Sequence, residues 1–440
     1  MKVTIGRVMF LAICSRLLCV LISFLTNDLF STIRNTGILH LYLDNSQNSQ
    51  NTVTWKLFKS FINWDGEYYL RISYYNDYEY EHQHAFLPLY PMLVSQISRI
   101  ISGINKTTIL LNIVVGTMIS NLAFVIASVG LYLFQCELFS KIKIKNVVFP
   151  GISTLFFLFP SSNIFNSSMY TESLYSCFNF WGAFLILKAE SNSHKFGFYS
   201  IKNITCLILS VFCMSVTSGI RSNGILNSIP LFFYFISTSP RVGNILKFIF
   251  HWFIAFILFI STIFPFLAYL VYTYFRYCVN ISTSRPWCKS LVPNIYSFVQ
   301  DEYWSNGIFN YWKIEKLDKF ILIIPFILVT IYSVKIFLIK KSGKDKTDVF
   351  STIHQILNHF QHCYSVFGYF FQIYFLLISI LLYGYVEVII RLFNCIPLYF
   401  TLLGYFFQNQ NPKLSNFLLI YQIFTFIFGS IWFPNFLPWT

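Results

Sequence analysis

Acidic residues, which could serve in proton transfer, are few in this chain, 17 among 440, and seven of them lie in two aromatic-rich segments. The first segment, residues 63–91, contains Asp65 and Glu67 next to Trp64, and Glu81 further along among other aromatic residues. A carboxylate beside aromatic rings at a membrane face loses hydration, which suits it to act as a general base. We therefore predict Trp64, Asp65, Glu67 and Glu81 as candidate catalytic residues. On spacing alone, the same acids also fit an ordinary solvated loop.

The second segment, residues 285–312, combines acids and amides with several aromatic rings. Aromatic rings can stack on sugars, and neighbouring polar groups can bind hydroxyls. A belt of aromatic residues at a membrane interface has the same composition, so both interpretations remain open. As candidate substrate-binding residues this segment supplies Gln300, Asp301, Tyr303 and Trp304.

Two arginines stand apart from the basic runs of the chain and belong to the candidate substrate-binding set. Arg221 lies in SGIRSNG, beside Asn223, and Arg391 lies just inside an apolar segment. An arginine next to a membrane needs a partner, either a phosphate or a carboxylate. For Arg391 the carboxylate of Glu387, one helical turn away, is as good a candidate as a phosphate. For Arg221 and Asn223, at a helix break, we favour an anionic ligand.

The ten cysteines show no CxxC pair and no Cys/His spacing of a zinc site. No D-x-D motif is present for a divalent ion and a nucleotide sugar, so we predict no metal-binding residues, although a metal requirement stays open. Cys278 lies just before the second segment, and Cys288 lies near its start. We predict a disulfide between them if this segment faces an oxidising compartment, with chance proximity as the alternative.

The composition is that of a membrane protein. Hydrophobic residues make up 56% of the chain and charged residues 11%, whereas an ordinary soluble domain has about 25% charged residues. The net charge of +14 comes from basic residues in short loops between apolar runs. That pattern indicates membrane topology rather than nucleic-acid binding.

We predict an all-α membrane protein, residues 1–440 forming one polytopic domain of about eleven spans, with nine to thirteen as the plausible range. The first apolar run, 8–26, is interpreted as a span rather than a secretory signal peptide. Residues 91–104 are too short to cross and suit a helix lying in the interface. The predicted spans lie near 8–26, 108–135, 146–160, 172–188, 203–219, 224–237, 247–275, 319–339, 365–384, 388–406 and 416–433.

The distribution of lysine and arginine predicts the orientation of these spans. The basic segments 141–145, 188–202 and 340–346 are expected in the cytosol. Both long loops, 27–107 and 276–318, are then lumenal. The two candidate site segments fall in these loops, on the same side of the membrane.

Several motifs in this order resemble the GPI mannosyltransferase 2 family, the PIG-V type. The resemblance covers most of the chain, although the long polar insertion that some relatives carry between 340 and 365 is absent. The motifs are WDGEYYLRI (64–72), YEHQHAFLPLYP (80–91), TESLY (171–175), SGIRSNG (218–224), PWC (286–288), YSFVQDEYW (296–304), VEVIIRLFNCIPLYF (386–400) and NFLPWT (435–440).

The resemblance implies a GT-C type helical bundle in the endoplasmic reticulum membrane with a lumenal active site. It implies inverting transfer of mannose from dolichol-phosphate-mannose, in α1,6 linkage, to the first mannose of the glycosylphosphatidylinositol precursor. Asp65 is then the general base, and no cofactor is expected beyond the donor substrate. The need for a small accessory membrane subunit stays open. The alternatives are a multi-span transporter and a non-catalytic subunit of a glycosylation complex.

Overall fold

All regular structure in the described part of the chain is helical, and no strand occurs there. The computed structural model describes residues 3–27, 53–103, 107–142, 149–240, 244–279, 285–342, 364–409, 412–437 and 439. Parts of the predicted first lumenal loop (28–52), of the basic segment 141–145 and of the predicted cytosolic connection (343–363) lie outside these residues.

The α-helices are numbered here in chain order. They are α1 (Ile5–Thr26), α2 (Val53–Phe58), α3 (Asp65–Tyr75), α4 (Leu89–Ser102), α5 (Ile109–Lys141), α6 (Phe149–Leu158), α7 (Glu172–Phe196), α8 (Ile201–Ile220), α9 (Ser228–Thr238), α10 (Ile245–Cys278), α11 (Ile295–Glu302), α12 (Leu317–Ser342), α13 (Ser365–Tyr383), α14 (Val388–Phe393), α15 (Pro397–Asn409) and α16 (Pro412–Trp432).

Seven helices of the described residues are long and apolar enough to cross a membrane, so the protein is a multi-pass membrane protein. They are α1, α5, α8, α10, α12 with the turn before it, α13 and α16 with the turn after it. The predicted interfacial segment is α4, whose 14 residues are too few to span the membrane.

Among the described residues, seven of the eleven predicted spans meet the length and composition of a crossing helix, and the remaining four correspond to shorter or more polar helices. Helix α6 has 10 residues, and α9 has 11 because a 3-10 turn occupies residues 222–227. Helix α7 has 25 residues but includes polar side chains such as Asn179. The segment 388–406 is divided into α14 and α15, and Pro397, which has no N–H to donate, begins the second helix.

Helix α1 is an integral part of the bundle, which favours the first-span interpretation over a signal peptide. The buried guanidinium of Arg16 donates to the backbone oxygen of Asn163 at 3.0 Å and lies 3.8 Å from the centre of the Phe124 ring. These contacts satisfy a charge that would be costly in an isolated apolar helix.

The two ends of α1 identify the two ends of the bundle. At its C-terminus, Asn435 donates to the backbone oxygen of Thr26 at 2.9 Å. At the opposite end, Tyr132 donates to the backbone oxygen of Val3 at 2.7 Å. Asn63, two residues before Asp65, donates to the backbone oxygen of Phe433 in the turn after α16 at 2.8 Å, so Asp65 lies at the end where α1 finishes.

Gly224 is required by a close approach between α8 and the 3-10 turn that follows it. A Cβ atom on Gly224 would lie 2.3 Å from the backbone oxygen of Thr217, and backbone atoms cannot move aside as a flexible side chain can. The absence of a side chain at residue 224 thus lets the chain fold back directly after Arg221.

We expect Gly224→Ala to destabilise the protein by roughly 1–3 kcal/mol, because the added methyl overpacks this turn. The melting temperature in detergent should fall clearly below that of the wild type. Gly6→Ala is the control, since no atom lies within 4 Å of a Cβ there. Equal melting temperatures for the two variants would show that the turn can open without cost.

Candidate functional site

A cavity of about 670 Å³ opens at the end of the bundle that contains Asp65. Its walls come from α3, the turn after α8, α11, α13 and α14. The sequence-predicted residues that line it are Trp64, Asp65, Arg221, Asn223, Gln300, Trp304 and Arg391. Residues distant in sequence are thus brought together around one space that can hold a ligand.

The backbone around Asp65 is tightly constrained. Asp65 is the first residue of α3. The preceding Trp64 has φ 58° and ψ −124°, a backbone conformation that residues other than glycine rarely adopt. Such a position costs of order 1–3 kcal/mol and persists only where the surroundings enforce it. The Trp64 ring stacks on Phe436, with ring centroids 4.9 Å apart. A Cβ on Gly66 would lie 3.3 Å from the Tyr170 ring.

Four charged side chains behind and beside the cavity are connected in series by ion pairs. Arg391 donates to Asp65 Oδ2 at 3.0 Å and to Glu172 Oε1 at 2.7 Å. Arg221 lies 2.8 Å from the same Glu172 oxygen. Both arginines thus share one buried carboxylate, and Arg391 also holds Asp65. We call Asp65, Arg391, Glu172 and Arg221 the charge chain.

The charge chain is electrically balanced, with two arginines and two carboxylates. Its centre is excluded from water because the Glu172 side chain is 1% exposed. The Arg391 guanidinium also lies 4.5 Å from the centre of the Phe165 ring and 5.1 Å from that of Tyr170. These rings fix the plane of the guanidinium, so its orientation toward Asp65 is set by the protein.

The structure corrects one predicted partner of Arg391. Glu387 accepts hydrogen bonds from the Tyr311 hydroxyl at 2.9 and 2.8 Å, while Arg391 pairs with Glu172 and Asp65. The one-turn spacing of Glu387 suggested a local pair, but the buried partner on α7 takes its place. For Arg221 the anion favoured from the sequence is supplied within the protein, again by Glu172.

Glu172 is the residue of the charge chain that the sequence analysis did not select. It begins α7, where it fits an ordinary helix start as well as an ion pair. Glu172 could have been found from the sequence by its need for a partner. A carboxylate next to apolar segments requires a cation, and Arg221 and Arg391 had no established partner in the sequence analysis.

Glu81 lies outside the cavity lining and fastens the second candidate segment to the first. Its carboxylate accepts from Arg285 at 2.9 Å, Trp287 at 3.0 Å and Tyr303 at 3.0 Å. Burial opposes ionisation of Glu81, but the three hydrogen-bond donors outweigh it and lower its pKa. These contacts connect the two segments, which is a structural role.

A disulfide joins Cys278 to Cys288, with Cα atoms 5.6 Å apart. It connects the C-terminus of α10 to the 3-10 turn that contains Trp287, one of the Glu81 partners. The disulfide and Glu81 therefore anchor the same part of the second segment.

The remaining predicted site residues do not line the cavity. Glu67 is half-buried on α3, and burial raises the pKa of its carboxyl although Arg71 opposes the shift. Asp301 is exposed, and Tyr303 is exposed and bound to Glu81. Within the described residues, no group of three His, Cys, Asp or Glu side chains is arranged to hold a metal ion.

His84 is a buried histidine held by two tyrosines outside the cavity. The Tyr269 hydroxyl donates to the backbone oxygen of His84 at 3.1 Å, so it accepts from Nδ1 at 2.7 Å. Tyr277 then donates to Nε2 at 3.0 Å. This pattern fits the neutral ring, and burial, together with Arg276, lowers the pKa of His84 to about 3.

The depressed pKa predicts a pH dependence of stability. In the unfolded chain a histidine takes up a proton near pH 6.5, whereas His84 in the folded protein stays neutral down to about pH 3. Stability is therefore complete above pH 6.5 and falls between these values, by at most about 1.4 kcal/mol per pH unit. Melting temperatures from pH 7.5 to 5 should fall less steeply for His84→Asn than for the wild type. Parallel curves would contradict the assignment.

Comparison with known proteins identifies a family for this chain. The family model described as Mannosyltransferase (PIG-V) matches residues 5–440. GPI mannosyltransferase 2 of Cryptococcus neoformans is 29% identical over 291 residues, 62% of this chain and 62% of that protein. The Schizosaccharomyces pombe protein of the same name is 27% identical over 319 residues, 68% of this chain and 60% of that protein.

GPI mannosyltransferase 2 of Saccharomyces cerevisiae is 26% identical over 295 residues, which cover 62% of this chain and 64% of that protein. The alignments with these three relatives span less than two thirds of their length. The family match, by contrast, extends over nearly the entire sequence. This chain therefore belongs to the PIG-V mannosyltransferase family.

Proposed function

We propose that this protein transfers mannose from dolichol-phosphate-mannose, in α1,6 linkage, to the first mannose of the glycosylphosphatidylinositol precursor. The observation that carries the proposal is the position of Asp65 in the wall of the cavity, held at 3.0 Å by Arg391. Family membership supplies the class of reaction, and relatives named GPI mannosyltransferase 2 supply the step.

In the proposed reaction, the 6-hydroxyl oxygen of the acceptor attacks the anomeric carbon of the donor mannose. The bond between that carbon and the phosphate oxygen breaks, and dolichyl phosphate leaves with the electron pair. The hydroxyl proton passes to the Asp65 carboxylate, which acts as general base. Attack from the face opposite the phosphate inverts the anomeric configuration. The phosphate is a stable anion and leaves without a general acid.

The other cavity residues have roles in binding. Arg221, Asn223 and Gln300 present hydrogen-bond donors to sugar hydroxyls, and the Trp304 ring offers a surface for stacking. Arg391 orients the base, since one of its nitrogens contacts Asp65 while others are fixed by Glu172. A base held in one orientation lowers the cost of reaching the attacking geometry.

We further propose a GT-C type bundle of about eleven crossings in the endoplasmic reticulum membrane. The helices α6, α7 and α9, and the pair α14 and α15, complete the seven long spans. The cavity then faces the lumen, at the end where α1 finishes. Lys188 and Glu137, 3.4 Å apart, lie at the C-terminal ends of α7 and α5. These ends face the cytosol, as the basic segments predict.

Complementation tests this function directly. The chain is expressed in a host that lacks the second GPI mannosyltransferase, and the accumulating glycolipid is identified by mass. Rescue, with loss of the one-mannose intermediate, is the expected result. Continued accumulation of that intermediate, with the protein present in the membrane, would reject the proposed step and favour a transporter or a non-catalytic subunit.

A further inference from the structure

The cavity contains a second group of charged residues that the proposed catalytic step does not use. Lys316 and Lys319 line it beside the beginning of α12, and Glu387 lines it just before α14. This group and the charge chain account for the charged side chains among the described residues that line the cavity, with Glu172 behind them. The net charge of the lysine group can therefore be compared with that of the charge chain.

The charge chain offers no net charge to a ligand. Arg221 and Arg391 are matched by Glu172 and Asp65 at distances of 2.7 to 3.0 Å. An additional anion would have to compete with carboxylates already in contact. Arg221, for which the sequence favoured an anionic ligand, and Arg391, for which a phosphate was one of two equal candidates, are thus already neutralised.

The lysine group differs because its cations have weak partners. The Lys316 ammonium lies 5.8 Å from the centre of the Tyr311 ring, while the Tyr311 hydroxyl donates to Glu387. Lys319 lies 3.8 Å from Asp318, whose side chain is 68% exposed. An exposed ion pair of this length contributes little. Asp318 lies outside the cavity lining, so among the lining residues of this group two lysines stand against Glu387 and leave a positive charge.

Lys316 and Lys319 also lie at the level of the lipid headgroups. The candidate span that includes α12 begins at Ile314, so Lys316 and Lys319 occupy its first turns. The first turn of a crossing helix is at the level of the headgroups, where lysine binds lipid phosphates. The cavity therefore connects the reacting site at Asp65 to this level of the bilayer.

We propose that Lys316 and Lys319 form the subsite for a lipid phosphodiester in this cavity. This inference rests on the proposed function, in which donor and acceptor each carry a phosphodiester next to a lipid tail. Lysine is a compact point charge that suits a phosphate approaching from the membrane. Glu387, fixed by Tyr311, stands beside the lysines as the negative group of the subsite.

The binding test uses purified full-length protein in detergent. The probes are dolichyl phosphate, phosphatidylinositol and uncharged dolichol. For Lys316→Gln with Lys319→Gln we expect roughly tenfold weaker binding of at least one phospholipid probe and unchanged binding of dolichol. The matched control is Lys289→Gln with Lys313→Gln, which removes two exposed charges from the same loop outside the cavity lining.

Wild-type affinity of the Lys316/Lys319 double variant for both phosphate probes would overturn the proposal. So would equal losses in the control pair, since these would indicate a general surface effect. Unchanged dolichol binding shows that the variant is folded. Lys316→Arg with Lys319→Arg should keep most of the affinity, because the charge is retained.

Transfer assays in membranes then identify the source of the phosphate. A raised KM for dolichol-phosphate-mannose alone places the donor phosphate at the lysines, and a raised KM for the glycolipid alone places the acceptor phosphate there. A lower kcat with both KM values unchanged would contradict the subsite. If the wild type transfers no mannose, the proposed function fails while the binding result still judges the subsite.

Discussion

Asp65→Asn is expected to lower mannose transfer by roughly 10²–10⁴-fold while leaving the protein folded. The substitution removes the proton acceptor but almost no volume. The asparagine oxygen can still accept from Arg391, so the arginine keeps a partner at the position where it now contacts Asp65. Transfer is measured in membranes with both substrates saturating, and accumulation of the protein is compared with wild type.

Glu302→Gln is the control for this experiment. It exchanges a carboxylate for an amide at an exposed position of α11 outside the cavity lining, and should transfer mannose at the wild-type rate. Substantial activity of Asp65→Asn would assign the base to another group. Glu67 and Glu81 were the sequence alternatives, and neither lines the cavity.

Asp65, Arg221 and Arg391 could be selected from the sequence because each is chemically conspicuous where it stands. An acid inside an aromatic segment and arginines beside apolar runs require an explanation whatever the fold. Their mutual contacts could not be predicted in this way. Arg391 and Asp65 are 326 residues apart, and only the packing of the helices brings them together.

Glu387 shows how a local rule fails in a buried site. Residues one turn apart on a helix often pair, and on that basis Glu387 was a candidate partner for Arg391. Helix α14 has only six residues and begins after Glu387, and Tyr311 binds this carboxylate instead. Arg391 is buried, so it pairs with a carboxylate that is equally excluded from water.

The helices illustrate the same limit at the level of the fold. As far as the structure describes them, the predicted spans fall in helical regions, since burial in a membrane requires apolar side chains. Apolar composition could not predict where a helix is interrupted. The break between α14 and α15 and the turn at residues 222–227 depend on backbone contacts, such as the one that requires Gly224. These interruptions place Arg221 and Arg391 at the cavity.

Glu172→Gln is expected to destabilise the protein by roughly 3–5 kcal/mol, the cost of breaking a buried ion pair by removing one partner. Glu172 accepts from both arginines through one oxygen atom. The amide would leave Arg221 without a carboxylate and Arg391 with Asp65 alone. We expect poor accumulation in membranes and a much lower melting temperature in detergent.

Glu190→Gln is a closely matched control, since Glu190 is also fully buried on α7. Its carboxylate accepts from the backbone N–H of Tyr364 and from the hydroxyl of Ser365, both at 2.8 Å. Neutral donors lose less when the acceptor becomes an amide, and we expect a cost of roughly 1–2 kcal/mol. Equal losses in the two variants would mean that burial, not the charge balance of the two arginines, sets the requirement for Glu172. A larger loss for Glu172→Gln would identify this buried carboxylate as the group that allows two arginines to stand beside the reacting site.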